Sequence, residues 1–157
     1  MTRLFNDPTA FADEMIEGFA AANGAHVRAV AGGVVRATAT PEGTVAVVTG
    51  GGSGHYPAFG GLVGPGVAHG AAMGNIFASP SAHQVATVAR AAHRGAGVLF
   101  TFGNYAGDVL HFGQAQERLR DEGLRCETVL VTDDISSASP AERHKRRGIA
   151  GPPASSR

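Results

Sequence analysis

A single cysteine, Cys126, among 157 residues excludes an internal disulfide and makes a reducing compartment, the cytoplasm, the expected setting. With no histidine near it in the sequence, Cys126 reads as a packed small residue at a strand start, not as a nucleophile. Charge of either sign is not in excess, because 13 basic residues face 13 acidic ones and the sequence pI is near 7.1. No global field is then available to recruit nucleic acid or an anionic bilayer, so neither is an expected partner. No apolar run approaches the ~20 residues that span a bilayer. Asp13, Glu14 and Glu17 interrupt what would be the apolar region of a signal peptide. His69, His83, His93, His111 and His144 lack the spacing of metal ligands, so no metal site is expected and they read as packing or surface residues. There is no internal repeat.

The informative stretch is Thr49-Gly50-Gly51-Gly52-Ser53-Gly54-His55-Tyr56-Pro57, which follows the apolar run Val45-Ala46-Val47-Val48 without a spacer. A buried strand is expected to open directly into a glycine loop ending on a histidine. Clustered glycines remove Cβ atoms and admit positive φ, so backbone amides can approach a small ligand. The same grammar recurs downstream. Val98-Leu99-Phe100-Thr101-Phe102 runs into Gly103-Asn104-Tyr105-Ala106-Gly107-Asp108, and Thr128-Val129-Leu130-Val131 runs into Thr132-Asp133-Asp134-Ile135-Ser136. Helical spacing lies between these runs, at Val85, Val88, Ala89 and Ala92 and again at Val109, Phe112, Gln116 and Leu119. Alternation of this kind predicts an α/β fold, a parallel or mixed sheet with flanking helices. Ligands of such sheets sit at the carboxyl ends of the strands, where the His55 and Asp108 loops are expected to converge on one site.

One domain is the natural count for this length. Asp7 as N-cap and Pro8 at the first helical position predict a first helix with Phe11, Met15 and Phe19 on one face, ending near Asn23-Gly24. Val27 to Val30 and Val34 to Ala37 around Gly32-Gly33 read as a hairpin. Residues 152–157, Pro-Pro-Ala-Ser-Ser-Arg, have the composition of an unstructured tail.

Local chemistry alone leaves the roles open. An imidazole titrates near neutrality, which suits His55 to proton transfer, yet a loop histidine can simply be solvated. Asp108 begins a helix, where the dipole favours its charged form, and reads equally as a catalytic base or an N-cap. Ser53 reads as a contact or a turn closer, and Asn104-Tyr105 as a turn residue with a packed ring. Arg143-His144-Lys145-Arg146-Arg147 reads as a solvated basic turn, with phosphate or partner binding as the alternative. Gly50 to His55 is not a P-loop, since histidine and tyrosine stand where lysine and Ser/Thr would hold phosphate and magnesium.

The strings Gly50-Gly51-Gly52-Ser53-Gly54-His55-Tyr56-Pro57, Asn104-Tyr105-Ala106-Gly107-Asp108 and Arg146-Arg147-Gly148-Ile149-Ala150-Gly151 occur here in one order. Together with Arg3-Leu4-Phe5-Asn6-Asp7 and Ser79-Pro80-Ser81, they resemble the substrate-binding DhaK domain of dihydroxyacetone kinases. The resemblance implies phosphoryl transfer to a hydroxyl of a small ketose such as dihydroxyacetone. It places His55 as a hydrogen-bonding acid or base, Asp108 as acceptor of the substrate proton, and Gly52, Ser53 and Gly54 as substrate contacts. It implies that ATP and Mg²⁺ are not bound directly but sit on a partner DhaL-type domain or subunit, or that a phosphotransferase-system protein supplies the phosphate. The complete family protein is expected to be a homo-oligomer.

Two departures shape the expectation. Gly103 stands where many relatives carry a lysine, which points to a longer ketose such as erythrulose. Family domains continue beyond the Arg-Arg-Gly-Ile-Ala-Gly string and carry there a histidine that binds the ketose as a covalent hemiaminal. Residues 1–151 are therefore expected to be the N-terminal part of a DhaK-type domain, with an uncovered sheet face and no residue for the covalent role. The alternative is a non-catalytic ketone-binding regulatory module.

Overall fold

The computed structural model describes residues 6–149. The expected tail at 152–157 lies outside them, as do Arg3-Leu4-Phe5 of the opening motif and Ala150-Gly151 of the closing one. Asp7 accepts a hydrogen bond from the Thr9 amide at 2.8 Å and starts a 3₁₀ turn, Pro8–Ala10, that runs into helix α1, Phe11–Ala22. The stripe that α1 packs is Met15, Ile16 and Phe19, while Phe11 stays exposed, so the expected face is turned by part of a helical step.

Strands β1, Val27–Val30, and β2, Gly33–Arg36, form the hairpin; Gly32 supplies a φ of 82° at its turn. Then come β3, Thr44–Gly52, and β4, Gly70–Gly74, followed by α2, Ala82–Ala92, and β5, Gly95–Gly103. Helix α3, Ala106–Asp121, and β6, Cys126–Val131, complete the α/β part, and a 3₁₀ segment spans Pro140–Lys145. Ser81 caps α2 through a reciprocal pair of bonds with Gln84.

The six strands form one mixed sheet in the order β1-β2-β4-β3-β5-β6, with β4, β3, β5 and β6 parallel and β2 antiparallel to both of its neighbours, β1 and β4. Strand β4 carries no signal in the sequence. Its Gly-Ala-Ala-Met-Gly has poor strand propensity, yet all five residues are buried. Small residues are required there because a Cβ on Gly70 would stand 2.9 Å from Val88 of α2.

Helices α2 and α3 share one face of the sheet. Their Val85, Val88, Phe112 and Leu119 pack on Val48, Phe100 and Phe102, with the Phe112 ring stacked on Phe102 at 4.1 Å and edge-on to Phe100 at 5.3 Å. Helix α1 covers only the β1, β2 and β4 part of the other face. Val45 alternates with the core residue Ala46 and therefore points to that second face, where it remains 47% exposed. Among the described residues no helix is long and apolar enough to cross a membrane.

Candidate active site

The glycines after Val48 belong to the strand more than to a loop. Strand β3 continues through Gly52, and Ser53–His55 then makes one 3₁₀ turn. None of Gly50, Gly51, Gly52 and Gly54 has positive φ, which corrects the conformational reason expected for them. Close approach explains them instead. A Cβ on Gly50 would lie 2.3 Å from the Ala72 carbonyl oxygen, and one on Gly54 would lie 2.5 Å from that of Ile76. The amides of Ser53 and Gly54 donate to the carbonyls of Asn75 and Ile76 at 3.1 and 2.8 Å. Those two amides are thus occupied by the wall and are not aimed at a ligand.

A cavity of about 770 Å³ opens at the carboxyl ends of β3 and β5. Gly52, His55 and Asp108 all line it, so the loops after two different strands do converge there. Ser53 and Gly54 are not among its lining residues; Ser53 is buried, with its hydroxyl unpartnered among the described residues. His55 is exposed and lies edge-on to the Phe59 ring at 6.0 Å.

Asp108 is the third residue of α3, and the N-cap is Tyr105, so the capping reading of the aspartate does not hold. Its side chain is only 8% exposed and accepts a hydrogen bond from Ser79 Oγ. Burial pushes the carboxyl above the usual range, opposed by the Ser79 hydrogen bond and by the charges of His111 and His55. Desolvation therefore outweighs the helix dipole, which reverses the expected direction.

Gly103 and Tyr105 with Gly148 and Ile149 also line the cavity. Asn104 donates from Nδ2 to the Arg146 carbonyl at 2.9 Å, and the Tyr105 hydroxyl donates to the Gly148 carbonyl at 3.1 Å. The pair thus clamps the 146–148 segment onto the site, a task that a turn reading does not include. Arg147 lies over the Tyr105 ring at 5.8 Å, and Lys145 pairs with Glu142 at 2.6 Å, so the basic run is partly held at the cavity's edge.

Ser79 reads in the sequence only as part of the Ser79-Pro80-Ser81 string; its bond to Asp108 is not legible there, because the partner lies 29 positions away. His111 also belongs near the site: its Nδ1 is 2.9 Å from the Pro80 carbonyl, and since a carbonyl only accepts, that nitrogen carries the proton. His69 is structural, its Nδ1 accepting the Val47 amide at 3.1 Å far down β3. Burial pushes the Cys126 thiol up to about 11, in keeping with a packed, unreactive residue. Among the described residues no three His, Cys, Asp or Glu side chains cluster as metal ligands.

An open mixed sheet with a carboxylate and an imidazole lining one cavity at its carboxyl edge defines a small-ligand domain of the α/β class. The Dak1 domain profile matches residues 17–154, and the chain belongs to that family. It is 69% identical over 151 residues to an L-erythrulose kinase of Pectobacterium atrosepticum, covering 96% of this chain and 26% of that protein. It is 44% identical to the dihydroxyacetone-binding subunit DhaK of a PTS-dependent dihydroxyacetone kinase of Listeria innocua, covering 96% of this chain and 46% of that subunit. Among solved structures, the dihydroxyacetone kinase from C. freundii in complex with AMP-PNP and Mg²⁺ aligns with a TM-score of 0.82 at 37% identity, over 95% of this chain and 28% of that one. The chain thus spans about a quarter of the first of these relatives and less than half of the second.

Proposed function

We propose that this chain supplies the ketose-binding part of a kinase site that transfers a phosphoryl group to a hydroxyl of a small ketose. The observation that carries this reading is the buried Asp108 facing a cavity it shares with the exposed His55. A desolvated carboxylate is a stronger base than a solvated one, which suits it to take the proton of a ketose hydroxyl as that oxygen attacks phosphorus. His55 hydrogen-bonds the ketose and exchanges protons with it, and Gly52 lets the sugar lie close to the strand end.

The chain's own residues do not suit a nucleotide triphosphate. No lysine follows the glycines, and the Ser53 and Gly54 amides are already bonded within the wall. ATP and Mg²⁺ are therefore assigned to a DhaL-type domain or subunit, or the phosphate to a phosphotransferase-system protein, in the cytoplasm. Relatives named as erythrulose kinases, and Gly103 at the cavity wall, favour a four-carbon ketose over dihydroxyacetone.

Titration of the isotope-labelled chain with L-erythrulose and with dihydroxyacetone, read by NMR, tests the proposal. Saturable shifts centred on His55, Ser79 and Asp108 are expected, at lower concentration for erythrulose. Shifts scattered elsewhere, or none at millimolar ketose, would overturn it.

A further inference from the structure

Ser79 lies between β4 and α2, two residues before the α2 cap. Its surroundings leave it little freedom. The chain at 78–80 folds directly over Gly74, where a Cβ would stand 2.2 Å from the Ala78 oxygen and 2.6 Å from the Pro80 nitrogen. Pro80 is fully buried, and its carbonyl accepts from His111 Nδ1 at 2.9 Å, one turn beyond Asp108 on α3. From the front, α3 approaches so closely that a Cβ on Gly107 would stand 2.9 Å from Ser79 Oγ. Three independent contacts thus aim one hydroxyl at one carboxylate.

A serine hydroxyl has one proton, and here it goes to Asp108 Oδ1. Among the described residues no other donor bonds that carboxylate. Its second oxygen has no donor among the described residues, and both Ser79 and Asp108 line the cavity. We infer that Ser79 is a positioning residue for Asp108: it fixes the carboxylate's rotamer and leaves Oδ2 as the proton-accepting atom. This rests on the kinase reading for its purpose, but its test does not use a ketose. The titratable groups facing Asp108 are His55 from the turn after β3 and His111 from its own helix; both favour the carboxylate, and neither replaces the Ser79 bond.

The experiment follows the side-chain carboxyl carbon of Asp108 by NMR through a pH titration of the full chain, in wild type, Ser79→Ala, Ser79→Thr and Gly107→Ala. Loss of a hydrogen bond to a charged group should move the Asp108 midpoint up by about 1–2 pH units in Ser79→Ala, and Ser79→Thr should restore it. Gly107→Ala, which displaces the hydroxyl without removing it, should move the midpoint the same way and covers the case in which Ser79→Ala fails to fold. An unchanged midpoint in a folded Ser79→Ala or Gly107→Ala variant, even with a lowered melting temperature, would reduce Ser79 to a structural part and overturn the inference. Failure of ketose binding with the midpoint shift intact would instead strike only the functional proposal.

Discussion

Asp108 combines two demands that oppose each other in the folded chain. Burial raises its proton affinity, while the Ser79 hydroxyl and two histidines hold down part of that rise. A carboxyl whose folded value exceeds its unfolded one gains stability from protonation that is present in acid and lost as pH rises through the folded value. At neutral pH the charged, buried group therefore costs stability. Asp108→Asn, which keeps an oxygen for Ser79, should melt higher than wild type at pH 7, with the gap closing as pH falls toward 4; a gap that is flat with pH would refute the account. Gly103 poses a second question at the same wall. A Cβ there would stand 3.0 Å from the ring of Tyr105, which is 40% exposed, so the ring has to give by a few tenths of an ångström against its bond to Gly148. Gly103→Lys should then fill space and add a donor, shifting the ratio of dissociation constants from erythrulose toward dihydroxyacetone by about tenfold, as expected for one polar contact. An unchanged ratio in a calorimetric titration would show that position 103 does not select the sugar.

The secondary elements owe their placement to how near main chains can come. Strand β3 lies against β4 with Gly50 opposite Ala72, and a methyl there would meet both the Ala72 oxygen at 2.3 Å and the Phe112 ring at 3.0 Å. Neither neighbour can move without opening the sheet or the α3 packing. Gly50→Ala should thus lower unfolding stability by about 1–3 kcal/mol or more by overpacking. Gly113 in α3 is the matched control, since a methyl added there would meet nothing within 4 Å, and Gly113→Ala should stabilise by about 0.5–1 kcal/mol through helix entropy. Urea unfolding of the two variants gives opposite signs if close approach is the reason for the glycines at the end of β3, and equal signs if it is not.

Acid sensitivity of the whole fold has a candidate origin at the end of the sheet remote from the cavity. His69 joins β4 to β3 by accepting the Val47 amide, a bond that only its neutral form can make. Burial, reinforced by Arg36 and Arg94, holds it below the usual imidazole range. The unfolded chain then takes up its proton first, so stability is lost as pH falls below about 6.5 and the loss levels off beneath the folded value. His69→Gln should retain an acceptor and lose less stability than wild type between pH 7.5 and 5.5 in denaturant titrations. Equal losses would place the acid sensitivity elsewhere.

Much of this architecture was legible in the amino-acid order because it is encoded locally. The cap at Asp7, the Gly32 hairpin, the apolar runs of β3, β5 and β6, and the helical spacing of α2 and α3 each depend on neighbours a few residues away. The three motif strings likewise carried the family and pointed to His55 and Asp108. Strand β4 was not legible, because its glycines and alanines answer to the side chains of α2 and the hairpin, not to any propensity of their own. The direction of the Asp108 shift, the Ser79 bond and the Asn104–Tyr105 clamp were hidden for the same reason. Burial and contacts across 29 to 43 positions exist only once the parallel strands have brought their carboxyl ends to one edge.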